Sequence, residues 1–379
     1  MPVGSVFQPE LRDVTDAVSG TRIHQLTYYR GHSHHLYFTN PGWYDNGRKL
    51  LISSDRANRT NLFGIDLQTG LLTQLTDYDP LPPPHELEFL RCCVNPLRDE
   101  AYYLYGRMVT ALDLRSFQQR VIWEMPEGFV PSQINCTSDG KNVILGIHED
   151  LSCRLHVDYL RGYVGFTETW AAMPLSRIVR VSTAGSRADT VWEERYWIGH
   201  ANASPTQPHL ITFCHEGPWE RVDCRIWGMN LDSGSVWKIR PRTADGEAVG
   251  HEHWLSDGVR IAYHGSLPDG NRCMGVIRYD NTEGVEYAFP YDTGHIHSND
   301  FSLIVGDAGD VVRLWKLGSE GFGPPRVLCR HRCSSHIQQL HVHPRFNPAG
   351  TQVLFTSDMS GYGNVYLADV PDIGTLPLL

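Results

Sequence analysis

The apolar positions of the chain fall in short runs that turn residues separate. The segment 38–76 shows this pattern: three apolar runs alternate with the turn sequences Asp-Asn-Gly, Asp-Arg-Ala-Asn and Gln-Thr-Gly. Runs of this length, bounded by Gly, Asn and Asp, are typical of β-strands joined by tight turns. The pattern therefore predicts a meander of short antiparallel strands.

The same skeleton recurs along the chain at intervals of roughly fifty residues. We count seven copies, which begin near residues 38, 94, 137, 204, 255, 299 and 347. Seven antiparallel sheets of about four strands each predict an all-β fold of the seven-bladed β-propeller type.

The two ends of the chain predict how the ring closes. The last copy stops after its third strand, and residues 16–27 resemble the end of a copy. We expect this N-terminal strand to pair with the final blade, 341–371, so that residues 1–379 form one domain. The third repeat is stretched by an insertion at 151–175, and insertions in repeat arrays often lie on the binding face.

Charge and cysteine content exclude several classes of function. The net charge is −10 and no Lys/Arg run occurs, so nucleic-acid binding has no electrostatic support. Nine cysteines without a CxxC pair are typical of reduced thiols in the cytoplasm. No secretion signal and no apolar stretch of membrane-spanning length is present, and the oligomeric state stays open.

Histidines recur just before the first strand of successive repeats. The copies carry the sequences GHSHH, IGHAN, GHEHW, GHIHSND and LHVHPRF at 31–35, 198–202, 250–254, 294–300 and 340–346. In a propeller such equivalent positions all point at the mouth of the central channel. We therefore expect these histidines to meet there.

The segment 338–344 is the strongest candidate for metal binding. His341 and His343 are two residues apart, so a β-strand would present both on one face, with the amide of Gln338 beside them. The sixth repeat offers His295 or His297 as a third imidazole. Imidazoles with an amide oxygen and no thiolate favour Mn²⁺ or a similar ion, although Zn²⁺ stays open.

A second polar cluster lies at 213–227. It contains His215, Glu216 and Arg225. Arg225 follows a turn, and its planar guanidinium could hold a carboxylate at two points. The alternative is a structural ion pair of Arg225 with Asp223 or Glu216.

Several motifs together resemble one known family. FCHEGP, DCRIW, GHEHW, QQLHVHP and FTSDMSG, in this order, are similar to the oligogalacturonate lyases of polysaccharide lyase family 22. The resemblance runs from about residue 24 to residue 371. It implies a seven-bladed propeller, a Mn²⁺ ion and β-elimination on short uronate oligosaccharides in the cytoplasm.

The resemblance also implies roles for individual residues. The family's metal ligands fall on His295, Gln338, His341 and His343. GHIHSN departs from the family's S-H-x-M-S-N, so His297 competes with His295, and the flanking Ser-Asn favours His295.

The family's proposed base falls on His251 and its carboxylate-binding arginine on Arg225. Water or His215 could protonate the leaving oxygen. We further expect His215, His200 and Arg177 to contribute to substrate binding.

The expected activity is cleavage of di- to oligogalacturonides in pectin catabolism, releasing an unsaturated monouronate or 5-keto-4-deoxyuronate. A glucuronate- or iduronate-type oligomer is an alternative substrate.

A non-catalytic interaction propeller is the alternative of a different class, but such a protein has no reason to gather histidines. A peptidase-associated propeller is disfavoured because no G-x-S-x-G sequence occurs.

Overall fold

The structure, a computed structural model, describes residues 2–81, 87–185 and 187–379. In these residues the strands form seven antiparallel sheets, one for each repeat of the sequence. This confirms the all-β class and the sevenfold repetition. The helical elements of the described residues are one α-helix, Phe166–Ala172, and three 3₁₀ turns at Arg56–Asn58, Gln338–Leu340 and Ile373–Thr375. None of these helices is long and apolar enough to cross a membrane.

The chain divides into two compact units. The first unit comprises Met1–Leu90, Leu114–Phe117 and Tyr291–Leu379 and holds three of the sheets. The first sheet consists of Val6–Phe7, Ser33–His34, Trp43–Tyr44, Lys49–Ser54, Asn61–Asp66 and Leu72–Gln74. The second consists of Arg12–Thr15, Arg22–Gln25, Arg345–Phe346, Gln352–Ser357 and Asn364–Asp369. The third consists of Ile296–His297, Leu303–Ala308, Val311–Gly318, Gly321–Phe322 and Arg326–Arg330.

The second unit comprises Arg91–Asp113 and Gln118–Pro290 and holds four sheets of four strands. Its first sheet is Cys93–Val94, Glu100–Tyr105, Met108–Asp113 and Gln119–Glu124, and its second is Phe129–Cys136, Asn142–Glu149, Leu175–Ser182 and Ala188–Arg195. Its third is Asn202–Ala203, Leu210–Cys214, Ile226–Asn230 and Val236–Ile239, and its fourth is Ala248–Trp254, Arg260–Ser266, Arg272–Arg278 and Val285–Ala288.

One type of turn ends several strands. The side-chain oxygen of Asp66 accepts hydrogen bonds from the backbone N–H groups two and three residues later, and Gly70 then takes a φ of +73°. Asn230 with Gly234, and Asp16 with Gly20, repeat this arrangement. A short Asx side chain that caps its own turn, followed by a glycine that tolerates positive φ, forces the chain to reverse.

The N-terminal strand joins the C-terminal sheet as the sequence predicts. In Arg22–Gln25, Ile23 lies opposite Ala368 and Gln25 lies opposite Tyr366. The strand is shorter than expected because residues 16–21 form the Asx turn. The sequence also gives no sign of the strand Arg12–Thr15, since all four of its residues are exposed and no apolar alternation marks them.

Apolar side chains fill the space between sheets within each unit. In the first unit Ile23, Val305, Leu314 and Phe355 belong to one buried cluster.

In the second unit the residues 151–174 connect the second and third strands of one sheet and include the helix Phe166–Ala172. That residues 1–379 act as a single domain stays a prediction.

Candidate functional site

Three imidazoles come together in the first unit. The ring nitrogens of His295, His341 and His343 offer ligand atoms that all lie within 4.8 Å of one another. The ring centroids of His295 and His343 are 4.4 Å apart, and those of His341 and His343 are 5.6 Å apart. We call these residues the trihistidine cluster.

The backbone that carries His341 and His343 is not a strand, so the expected strand placement was wrong. Gln338–Leu340 is a 3₁₀ turn, His341 is extended, and His343 has a φ of +44°. Val342, between them, is 1% exposed and its carbonyl accepts a hydrogen bond from Thr356. Anchoring Val342 in the core brings both flanking imidazoles together without a strand, at the cost of a left-handed backbone at His343.

A buried carboxylate orients the first histidine of the cluster. Asp307 Oδ2 lies 3.6 Å from His295 Nδ1, and the two residues are on adjacent strand segments. Burial raises the pKa of Asp307, but His295 more than offsets this, so the pKa lies below its ordinary value. Gly294 is required here, because a Cβ at this position would lie 2.6 Å from Asp307 Oδ1. A carboxylate behind a ligating histidine is a common feature of metal sites.

Aromatic side chains surround the cluster, and burial favours the neutral form of His341. Tyr37 packs against His343 at 4.8 Å, and Phe38 packs against His295 at 5.3 Å. Burial lowers the pKa of His341 to about 4. A neutral imidazole has a lone pair for a metal ion, so the donor set fits a divalent cation.

His297 and Gln338 have different relations to the cluster. His297 is in the strand Ile296–His297, and its Nδ1 accepts a hydrogen bond from the backbone N–H of Phe346 at 3.3 Å. The trihistidine cluster contains His295 and not His297. Gln338 begins the 3₁₀ turn, and its carbonyl accepts from the N–H of His341 at 3.1 Å. As a ligand, Gln338 stays a prediction.

In the second unit a buried arginine is held between two glutamates. Arg225 Nη1 lies 2.5 Å from Glu216 Oε1, and Arg225 Nε lies 3.4 Å from Glu252 Oε2. The side chain of Arg225 is only 5% exposed. The pairing with Glu216 is the alternative that the sequence left open. This ion pair fixes the orientation of the guanidinium plane. It also neutralises part of the positive charge of Arg225 that a substrate carboxylate would bind.

His251 lies at a β-bulge beside a second histidine. The register of Ala248–Trp254 shifts between Gly250 and His253, and His251 has a φ of +49°. Its Nδ1 is 2.8 Å from Nε2 of His264, and the ring of Trp219 lies edge-on at 4.9 Å. Bulges of this kind re-aim a side chain and are frequent beside active sites.

His215 is fixed at both ring nitrogens. Its Nδ1 is 2.6 Å from Asp223 Oδ1 and its Nε2 is 3.1 Å from Glu194 Oε1. Although burial lowers the pKa of His215, the two carboxylates more than offset this and raise it. The ring also stacks on Tyr196 at 3.8 Å. A role as proton donor would require one carboxylate to be released.

The two other predicted binding residues also have protein partners. His200 Nε2 is 3.5 Å from Glu216 Oε2. Arg177 pairs across strands with Glu193 at 2.5 Å, and its guanidinium carbon lies 4.5 Å from the ring centre of Phe129. The structure therefore places His200 with Arg225 and Glu216, and Arg177 with residues of its own sheet.

The insertion of the third repeat covers the turn that carries Glu216. Trp170, in the helix Phe166–Ala172, donates from Nε1 to the hydroxyl of Tyr196 at 3.3 Å. The guanidinium of Arg221 lies 4.3 Å from the Trp170 ring. At Gly217 a Cβ would lie 2.3 Å from that ring, so the turn admits only glycine. The insertion thus packs over candidate functional residues of the second unit.

Sequence reasoning missed Asp307, His264 and Glu252. Asp307 and His264 lie on the second strands of their sheets. His251 is in the first strand opposite His264, and His295 immediately precedes the first strand opposite Asp307. These pairings depend on which residues face each other across neighbouring strands. The spacing of the histidines in the sequence does not reveal this register. Glu252 lies inside GHEHW, and its place in the bulge makes it a partner of Arg225.

Comparison with known proteins gives consistent matches. The family model described as oligogalacturonate lyase matches residues 4–313. Oligogalacturonide lyase of Pectobacterium atrosepticum is 29% identical over 382 residues, which cover 94% of this chain and 95% of that protein. Oligogalacturonate lyase of Dickeya dadantii is 28% identical, with the same coverage of both chains.

A solved structure extends the similarity to the fold. It is described as oligogalacturonate lyase in complex with manganese, and it matches with a TM-score of 0.87 at 25% identity. The match covers 98% of this chain and 99% of that chain. With the seven sheets, it confirms the seven-bladed β-propeller.

Replacing Asp307 tests its role behind His295. We expect Asp307→Asn to weaken divalent-metal binding by about 10- to 100-fold, because an amide orients the imidazole less strongly and adds no negative charge. Equilibrium dialysis against Mn²⁺ measures the effect. Asp310→Asn is the matched control, since the side chain of Asp310 is 57% exposed and the residue lies in the turn before the strand Val311–Gly318. Unchanged affinity in Asp307→Asn would contradict the assignment.

Proposed function

The chain belongs to the oligogalacturonate lyase family, and from this premise we propose that it cleaves short galacturonides by metal-assisted β-elimination. The substrates are di- to oligogalacturonides from pectin, and the product is an unsaturated monouronate or its 5-keto-4-deoxy form. The observation that carries the proposal is the trihistidine cluster with Asp307 behind it, because a non-catalytic propeller has no use for it.

We assign metal binding to His295, His341, His343 and Gln338. The donor set has neutral imidazoles, an amide and no thiolate, which suits Mn²⁺. The manganese complex of the related lyase supports the same ion. When bound, a divalent cation neutralises a uronate carboxylate and stabilises the negative charge that develops beside it.

We assign proton abstraction to His251. The reaction breaks the C5–H bond next to the carboxylate, forms the C4–C5 double bond and breaks the bond from C4 to the glycosidic oxygen, which then takes a proton. A neutral imidazole is a suitable base near pH 7. The bulge and Trp219 hold the His251 ring in one orientation.

His264 sets the tautomer of that base. One of the two facing nitrogens, His251 Nδ1 and His264 Nε2, must donate to the other. His251 can accept a proton at Nε2 only if its Nδ1 carries the hydrogen and donates to His264. We therefore propose that His264 is a positioning residue that keeps Nε2 of His251 available.

Arg225 remains the proposed binder of a substrate carboxylate. Glu216 contacts Nη1 and Glu252 contacts Nε, so neither glutamate takes up the Nη2 donors, which we propose bind the ligand. Two-point binding through Nε and Nη2 would require Glu252 to move away, while Glu216 keeps its contact with Nη1. His215, His200 and Arg177 are proposed to support substrate binding, each after exchanging a carboxylate partner.

The cysteines and the net charge support our proposals for the location of the protein and for its partners. We place the protein in the cytoplasm, since its nine cysteines are free thiols and most are buried. The net charge of −10 argues against nucleic acid as a partner. An acidic oligosaccharide is the proposed ligand, bound by local cations rather than by the overall field.

A panel of uronate oligomers tests the function. We expect the purified protein with Mn²⁺ to convert di- and trigalacturonate to unsaturated product, and a chelator to abolish the conversion. Glucuronate- and iduronate-type oligomers of equal length serve as comparison substrates. Preferred turnover of one of these would assign the same chemistry to another sugar. Turnover of none, with metal bound, would overturn the proposal.

Two alanine variants separate the base from the metal ligands. We expect His251→Ala to retain bound metal and to lose about 10²- to 10⁴-fold in turnover, as removal of a general base does. We expect His341→Ala to lose the metal as well. Metal analysis and product formation are measured on both variants. Near-normal turnover of His251→Ala would remove it as the base, and full metal occupancy in His341→Ala would show that the ligand set is wrong.

The His251–His264 pair is tested by two substitutions at position 264. We expect His264→Phe to lower turnover by about tenfold or more, because the wrong tautomer of His251 is then populated. The acid limb of its rate–pH profile should also move to lower pH, because the protonated His251 loses its acceptor. His264→Gln keeps an acceptor and should restore part of the activity. An unchanged profile in His264→Phe would contradict a positioning role.

A further inference from the structure

A second group of metal-ligand types lies in the second unit, next to Arg225. His200, Cys214 and Glu216 offer ligand atoms that all lie within 4.8 Å of one another. His200 Nε2 is 3.5 Å from Glu216 Oε2, and Cys214 Sγ is 3.7 Å from the same oxygen. We call this group the thiol cluster.

The spacing of the thiol cluster fits a tetrahedral zinc site. Zinc binds nitrogen and oxygen at about 2.0–2.1 Å and sulfur at about 2.3 Å, so neighbouring ligands of a tetrahedron lie roughly 3.3–3.8 Å apart. The two measured separations fall in this range. The third separation, between His200 and Cys214, is at most 4.8 Å, so a small adjustment of the side chains would bring all three ligand atoms around one ion.

The backbone near the thiol cluster leaves room for its side chains to lie close together. A Cβ at Gly199 would lie 2.5 Å from Glu216 Oε2 and 2.7 Å from Cys214 Sγ, so the glycine makes room for both. The backbone N–H of His200 points at Cys214 Sγ at 3.2 Å and would donate to a thiolate. Cys214 is fully buried, and Glu216 is 9% exposed.

We propose that His200, Cys214 and Glu216 bind a second metal ion, of the Zn²⁺ class, at a site separate from the trihistidine cluster. Three protein ligands, one of them a thiolate, select zinc over manganese and leave one coordination position open. The ion would use Oε2 of Glu216, while Oε1 keeps Arg225. With the ion bound, His200 would act on a substrate only through the ion and not by direct contact. Bound there, it would fix the turn that carries both Glu216 and the ion pair of Arg225.

The competing reading is a hydrogen-bond network without metal. In that case Cys214 stays a thiol, because burial raises its pKa well above the ordinary value. Metal binding must displace this proton, as it does wherever a thiolate becomes a ligand. The two readings therefore differ in whether a metal–thiolate bond forms.

Cobalt substitution distinguishes the two readings. Co²⁺ bound to a thiolate gives a near-ultraviolet charge-transfer band, and Co²⁺ on imidazoles alone gives none. We expect the wild-type protein to show the band with Co²⁺, and Cys214→Ser to lose it. Cys224→Ser is the matched control, because Cys224 is also buried and its Sγ lies at hydrogen-bonding distance from the backbone carbonyls of Ile226 and Ile239. No band in the wild type, or a band that persists in Cys214→Ser, would overturn the proposal.

A second measurement covers the case in which Cys214→Ser fails to fold. His200 is partly exposed at 22%, so His200→Gln should fold, and we expect it to bind about one zinc equivalent fewer per chain than the wild type. Zinc should raise the thermal midpoint of the wild type more than that of His200→Gln. His341→Ala should keep the cobalt–thiolate band, so a failure of the trihistidine assignment would be visible separately. Equal zinc content in wild type and His200→Gln would refute the site.

Discussion

The candidate functional residues of each unit are constrained by the need to pair charges that are buried away from water. An unpaired buried charge costs several kcal/mol, so each buried ionic group must have a partner of opposite sign. The Asp307 carboxylate has His295 beside it, Arg225 has Glu216 and Glu252, and His215 has Asp223 and Glu194. These partners fix the orientation of each functional side chain before a ligand arrives. Preorganised groups of this kind lose little further freedom when charge develops in a reaction.

Two of the predicted functional histidines also have backbone conformations that are costly for residues other than glycine. His343 and His251 both have positive φ, and each is held there by its neighbours: Val342 in the core, and the bulge between Gly250 and His253. Strain of this kind, on the order of 1–3 kcal/mol per residue, persists only where the surrounding structure enforces it. Its occurrence at two predicted functional histidines links the fold directly to the chemistry.

The sequence predicts the fold better than it predicts the contacts of the site. Turn residues and short apolar runs recur at a fixed period, so the seven sheets and the pairing of Ile23 with the last sheet follow from pattern alone. The recurrent histidines likewise predict that His295, His341 and His343 meet. The 3₁₀ turn before His341 depends on tertiary packing of Val342, which no local pattern records. Asp307 and His264 depend on which residues face each other across strands, and the register is a property of the folded sheet.

The central claim is that this chain cleaves uronates by elimination at C5. The most direct measurement uses digalacturonate with deuterium at C5 of the sugar whose O4 is glycosidically linked, with Mn²⁺ present. The account predicts that the deuterium is lost to solvent, that the product contains the C4–C5 double bond, and that turnover is slower than with the unlabelled substrate. Cleavage with the deuterium retained at C5 would mean that the glycosidic bond is hydrolysed, and it would contradict the account.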